Sequence, residues 1–409
     1  MSEAVGSAVA PPPPPAAASG ADQSGLRLYN ERLILSLVRR FGQLSKIEVA
    51  RVTGLSVQST SAIMNRLQAD GLLRREAPMR GRVGQPTVPV SLDPNGAYAL
   101  GLMVGRRSCE LALIDFCGRV LRRARRTYAY PTPDLVMDFF ADALPPMIEA
   151  LTTAQRRRVA GLGVAFPFQL WNWSAEIGAP ADEMDAWRSF SIEEELARAC
   201  PYPVTLCNDA TAACAAELFF GDAWRHADFL YFFLGAFVGG GLVLNGSLYP
   251  GRTGNAAALA SMPVGSPPAQ LIARASICQL ERRVEAAGLD PSSIWRTPEA
   301  WDDFGPLADE WIDDVASALS YAAVAAISVI DVEAIVIDGA MPADARRKLC
   351  LRVAAQVEAL DRRGLSEVAI VAGAIGADAP ASGGAALPLI KNFARDREVL
   401  FKDAPIAVD

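Results

Sequence analysis

Ser45 to Gly71 reads SKIEVARVTGLSVQSTSAIMNRLQADG, and its spacing predicts two short helices joined by a tight turn. Ser45 precedes an apolar-periodic run and Glu48 follows three residues later. Hydroxyl and carboxylate can then satisfy each other's neighbouring backbone N–H groups as a capping box. Gly54 ends that helix after Thr53, and Ser56 offers a second N-cap. Thr60, Ile63, Met64 and Leu67 recur at i, i+3, i+4 and i+7, which buries one face. The other face carries Gln58, Ser59, Ser61, Asn65 and Arg66, side chains able to hydrogen-bond base edges in a major groove. Ser45 joins them as a candidate DNA contact. A plain helical hairpin with a solvated polar face has the same pattern, so the neighbouring sequence has to decide.

Upstream, Leu33, Ile34, Leu37, Val38 and Phe41 form a third apolar stripe that ends near Gly42 and completes a trihelical core. Downstream, LLRREAPMRGRVGQPTVPVSL has two β-like runs around a tip with Gly and Arg, as a winged helix-turn-helix requires. Arg80, Arg82 and Gln85 at that tip are candidates for phosphate or minor-groove contact. From Leu26 to Val90 there are 11 Arg or Lys and 4 acids, a net of +7, while the whole chain is at −7. A basic module on an acidic body points to a polyanion partner, double-stranded DNA, for this segment.

The 409 residues, 51% hydrophobic and 21% charged, suffice for two or three domains with substantial cores. The start lacks the charged and apolar regions of a secretory signal, and Phe229 to Leu244 is broken by glycines, so a cytoplasmic protein without a membrane partner is expected. Seven scattered cysteines without a CxxC pair argue against a disulfide framework. The one histidine, His226, leaves no room for a multi-histidine metal site, and its surroundings show no ligand spacing.

The first 25 residues, with Pro11 to Pro15, are expected to form a disordered arm. After the head, strands alternate with helices. AYALGLMVG and CELALIDFCGRVLRRARRTYA suggest a β-meander, and Asp134 to Leu151 an amphipathic helix kinked or interrupted at Pro145-Pro146. GLGVAFPF reads as a buried strand and PVTLCNDATAACAAELFFG as strand, turn and helix. FLYFFLGAFVGGGLVLNGSLYPG reads as paired strands with an Asn245-Gly246 hairpin turn. Asp313 to Ile330, AIVIDG, and Ala343 to Ala359 add helix, strand and helix. The expected fold is an α/β body of two lobes behind a winged helix-turn-helix.

These stretches in this order resemble the ROK family of sugar kinases and sugar-responsive repressors: GLSVQSTSAIMNRL, GRVGQPTVPVSL, ALGLMVG, GLGVAFP, LCNDATAA, LGAFVGGGLVLNGSLYPGRTGNAAALASM, AIVIDGAM and SGGAAL. The resemblance implies an actin/hexokinase-like body whose lobes close on a sugar. It also implies the division 1–25 arm, 26–92 head, 93–210 first lobe, 211–385 second lobe and 386–409 returning to the first lobe. Several positions depart from the family. Met103 stands where kinases carry an acid, Phe237 crowds the glycine turn Gly235-Ala236-Phe237, and Asp338-Gly339 places a negative charge where a nucleotide would approach. The zinc histidine segment reads Ala257 to Ser261, with only Cys278 in the cysteine region, so neither metal nor cofactor is expected. Ala258 replaces a Glu that contacts sugar hydroxyls.

Asn208-Asp209 matches the family's sugar-holding pair, although the same residues make an ordinary N-cap. Gly239 and Ser261 complete the candidate ligand set, with Gly239 also readable as a bulge. Trp171, Trp173 and Trp187 suit a sugar-stacking lid, or dimer or core packing. The expected function is a DNA-binding regulator, a repressor, whose catalytically inactive body senses a carbohydrate-like effector and which acts as a homodimer or higher homo-oligomer. An active sugar kinase and a ligand-independent regulator remain the alternatives.

Overall fold

The structure is a computed structural model describing residues 23–78, 88–174, 178–265, 267–298 and 301–395. The head consists of α1 (Gln23–Phe41), α2 (Lys46–Thr53) and α3 (Val57–Ala69), followed by β1 (Leu73–Arg75) and β2 (Val90–Leu92). Each local signal has its expected physical partner. Ser45 Oγ accepts from Glu48 N at 3.2 Å, Ser45 N donates to Glu48 Oε2 at 2.7 Å, and Gly54 closes α2 at φ 72°. Ser56 Oγ accepts from Ser59 N at 3.0 Å and starts α3. Strands β1 and β2 pair antiparallel with Arg74 opposite Ser91. The tip between them, with Arg80, Arg82 and Gln85, lies outside the described residues.

The body is built from two sheets of the same plan. The first uses β3 (Tyr98–Val104), β4 (Ser108–Asp115), β5 (Val120–Thr127), β6 (Val159–Ala165) and β7 (Val204–Cys207), in the order β5-β4-β3-β6-β7. The second uses β8 (Phe229–Leu234), β9 (Val238–Leu244), β10 (Ser247–Leu248) and two later strands. A minor pair, β11 (Pro263–Val264) and β12 (Ala269–Gln270), precedes β13 (Ala334–Gly339) and β14 (Ala369–Ala372), giving the order β10-β9-β8-β13-β14. In each sheet three antiparallel strands adjoin two parallel ones. Asn245 and Gly246 turn the β9–β10 hairpin at φ 54° and 69°, the signs a tight primed turn requires.

The main body helices are α4 (Pro133–Glu149), α5 (Ile192–Ala199), α6 (Asp209–Phe220), α7 (Ile277–Ala286), α8 (Gly305–Ile327), α9 (Ala343–Ala359) and α10 (Ala379–Phe393). Of the two alternatives at Pro145-Pro146, the interruption is absent: α4 runs through both prolines, which lie on its exposed side. There the carbonyls that lose an N–H partner can turn to water. Helix α10 packs on β3 and β6 of the first sheet and on α6. Among the described residues no helix is long and apolar enough to cross a membrane.

Three glycine approaches hold α10 in place. A methyl at Gly383 would stand 1.7 Å from Ala212 O of α6, one at Gly163 1.9 Å from Gly384 O, and one at Gly101 2.4 Å from Ala385 N. Backbone therefore packs directly on backbone between α10, α6, β3 and β6. The head has no separate core: Ile34, Val38, Met64 and Leu67 share one buried cluster with Ala99, Ile114, Phe116, Ala385 and Leu389 of the body. Arg39 seals the junction by lying 4.0 Å from the ring centroid of Phe219 and 5.0 Å from that of Phe116.

Gly383→Ala is expected to destabilise the protein by about 3 kcal/mol or more, because neither backbone can move aside without separating α6 from the first sheet. The urea midpoint measures it.

Candidate functional site

Between the sheets lies a cleft of about 670 Å³, within the size range of small-molecule sites. Asn208 and Asp209 reach it because β7 ends at Cys207 and α6 begins at Asp209. Asn208 Oδ1 accepts from Ala210 N at 3.1 Å and Asp209 Oδ1 accepts from the same N–H at 2.9 Å. Capping thus occupies one oxygen of each side chain, and both residues still line the cleft. Asp209 keeps some contact with solvent inside the cleft, but the surrounding walls desolvate its carboxyl and push its pKa up to about 6. Gly239 lies against Ala210, whose Cβ would be 2.5 Å from a methyl added there. Bare backbone is thereby kept next to Asn208 and Asp209. Ser261 is exposed and also lines the cleft.

The departures from the kinase pattern meet in the same space. Met103, Phe237 and Ala258 all face it. The glycine turn is closed on itself and on α7: Gly235 N donates to Phe237 O at 3.2 Å, Gly235 O accepts from Ile277 N at 3.0 Å, and Ala236 O from Cys278 N at 3.3 Å. Asp338 departs from the expectation. It does not present its charge to the cleft. Its buried carboxylate is turned into the second lobe, where it pairs with Arg346 Nη1 at 2.6 Å and accepts from Tyr231 Oη and Gly376 N, each at 3.1 Å. A buried carboxylate needs such neutralising donors, which the strand sequence alone does not reveal.

The lid reading of the tryptophans also changes. Trp187 is core: it is buried, donates Nε1–H to Pro131 O at 2.9 Å and packs on Phe166 and Phe190. Trp171 is half-buried under Arg188, and the side chain of Trp173 lies outside the described residues.

Several cleft residues had no signal in the linear sequence. Glu110 stands opposite Met103 across the β3–β4 ladder, so a carboxylate enters the cleft from the neighbouring strand. Burial raises its pKa against the pull of Arg123, whose Nε lies 3.1 Å away. Arg123 also binds Asp378 at 3.0 Å. Gln169 and Ala257, two of the three described non-glycine residues with positive φ, line the same cleft, and backbone strain of this kind concentrates at ligand sites. Among the described residues no group of three or more His, Cys, Asp or Glu could hold a metal.

On the head, Gln58, Ser59, Asn65 and Arg66 are exposed and Ser61 is half-buried. Arg66 Nη1 lies 3.5 Å from Glu31 Oε1 of α1. Lys46 Nζ donates to Asn65 Oδ1 at 2.9 Å and adds a cation to this face. Ser45 does not belong to it: its side chain is buried and committed to the cap of α2.

The chain matches the ROK family over residues 99–390 and the MarR family over residues 29–82. It is 26% identical over 369 residues to the uncharacterized protein y4fQ of Sinorhizobium fredii, covering 89% of this chain and 91% of that protein. It is 21% identical over 244 residues to the xylose repressor of Bacillus subtilis, covering 60% and 62%. A crystal structure described as a ROK family transcriptional regulator, homolog of E. coli MLC protein, matches 92% of this chain and 99% of its own. Its TM-score is 0.62 at 19% identity.

The raised Asp209 pKa fixes the sign of a pH effect. Between its ordinary value of 3.8 and about 6 the unfolded carboxyl ionises while the folded one stays protonated, so this group costs stability as pH rises through that window. Asp209→Asn should therefore gain stability relative to the parent from pH 4 to pH 6, by about 3 kcal/mol at most, and hold that gain at higher pH. Parallel thermal melts against pH test it.

Proposed function

The chain belongs to the ROK family, and on that premise we propose that it is a sequence-specific transcriptional repressor whose kinase-like cleft senses a sugar-like effector without phosphorylating it. The observation that carries this reading is that one chain joins a helix-turn-helix head, through a core shared with the first sheet, to a body that holds a cleft of small-molecule size. The match to the MarR family over the head and the similarity to a xylose repressor support the DNA-binding half.

In this reading Gln58, Ser59, Ser61 and Asn65 read base edges, and Arg66 with the wing residues Arg80, Arg82 and Gln85 contacts the backbone. Residues 26–92 act as the head. The first lobe runs from 93 to 210 and the second from 211, with α10 rejoining the first. A homodimer would present two heads to two half-sites. Asn208 and Asp209 hold effector hydroxyls, beside Gly239 and Ser261. Phosphoryl transfer depends on a positioned, metal-bound γ-phosphate. Met103 removes an acid from the cleft, and the closed Gly235–Phe237 turn offers its carbonyls to α7, which argues against catalysis.

Genomic fragments bound by the full chain would supply an operator. Against it, Asn65→Ala is expected to lose about 1–3 kcal/mol and to relax preference at one base position. Uniform loss over all sequences, or no loss, would remove Asn65 from base reading.

Asp209→Ala should lose most affinity for a sugar or polyol found by thermal-shift screening, since each charge-assisted hydrogen bond is worth about 1.5–3 kcal/mol. Incubation of the protein and that ligand with Mg-ATP should yield no sugar phosphate. Formation of one, abolished by Asp209→Ala, would make the protein a kinase.

A further inference from the structure

A second cavity, of about 430 Å³, opens where α1 of the head meets α10 and the β9–β10 hairpin of the body. It shares no lining residue with the cleft, although α6 and α10 border both. Among the described residues its lining contains four cations, Arg39, Arg40, Lys391 and Arg395, and no carboxylate. None of the four takes part in an ion pair among the described residues.

Their positions are fixed by neutral partners. Arg395 N donates to Ser36 Oγ at 3.1 Å and its Nη2 to Asn245 O at 2.8 Å. Arg40 lies over the Trp224 ring at 5.9 Å, and Arg39 is stacked on Phe219. Two guanidinium groups then converge on one point. A methyl built on Gly246 would meet Arg395 Nη2 at 3.1 Å and Arg40 Nη2 at 3.6 Å. Asp115 attracts Arg39 through space but does not line the cavity, and its Oδ1 accepts from the N–H groups of Cys117 and Arg119 at 2.9 and 3.0 Å.

Gathering like charges in a partly dehydrated cavity costs free energy that a bound anion offsets. The electrostatics agree with that cost. Burial first, and the charge of Arg395 second, lower the pKa of Arg40, while burial lowers that of Arg39 to about 10.

We infer that this cavity binds a small multivalent anion, a phosphate ester or a polycarboxylate, which bridges the head to the body. Its guanidinium pair matches the geometry of phosphate and carboxylate oxygens. The aromatic walls of Phe219, Phe220 and Trp224 leave room for an organic portion. The site is separate from the sugar cleft, so it would give the protein a second input.

Calorimetric titration of the full chain with sodium pyrophosphate and with citrate, at an ionic strength held constant with KCl, tests the inference and separates the two anion types. Saturable binding of at least one probe, one per chain, is expected. Arg40→Gln and Arg395→Gln should each weaken it by about tenfold or more. Lys391→Gln, at an exposed position on α10, should weaken it several-fold, and it serves if either arginine variant fails to fold. No saturable binding of either probe would overturn the inference. So would affinity unchanged by these substitutions, or binding lost instead on Arg107→Gln in the sugar cleft.

Discussion

The contact between Gly383 and the Ala212 carbonyl fixes the distance between α10 and α6, and most of the molecule hangs on that distance. Helix α6 begins at Asp209, so its placement sets where Asn208 and Asp209 enter the cleft. Helix α10 lies on β3 and β6 through Gly101, Gly163 and Gly384. Small residues allow backbones to touch, and such contacts leave no side chain to act as a compliant spacer. The lobes therefore meet at a rigid crossing, with the cleft on one side of it.

The same helix continues to the head. Ala385 and Leu389 join the cluster that contains Ile34, Val38 and Met64, Phe393 meets Phe116 edge-on at a centroid distance of 4.9 Å, and Arg395 reaches Ser36 of α1. A chain of packed elements thus runs from Asn208 and Asp209 through α6 and α10 to α1, which packs against α3 of the head. Packing of this kind conveys a signal only where ligand and DNA favour different arrangements of it. The cationic cavity sits at the end of this chain, where a small shift of α1 changes the spacing of its arginines.

The departures of the cleft from a kinase acquire their meaning from neighbours. Phe237 matters because the turn it closes hands its carbonyls to α7, and Asp338 matters as a buried anchor for Arg346 and Gly376. Glu110 and Arg123 enter the cleft from strands that no single-residue motif marks. These residues give it a charged wall beside Asn208 and Asp209.

Local rules written in the sequence were sufficient for the head. The Ser45–Glu48 box, Gly54, Ser56 and the spacing of Thr60, Met64 and Leu67 each act within a few residues, so caps, helix ends and the buried face of α3 follow from the sequence alone. The Asn245-Gly246 turn and the strand–helix switch at Asn208-Asp209 are local in the same sense, and the order of the motifs sufficed to suggest the family and its two-lobed body. Tertiary structure decided the rest, because it depends on groups far apart in the chain. Ser45 is buried by its own cap and leaves the reading face, and Asp338 finds Arg346 and Gly376. Glu110 lies across a ladder from Met103, and Trp187 is in the core. The head's lack of a core of its own, and the meeting of Arg40 with Arg395, arise only when α10 is laid against α1. Periodicity records which side of an element is apolar, but charge pairing and desolvation depend on what that side comes to face.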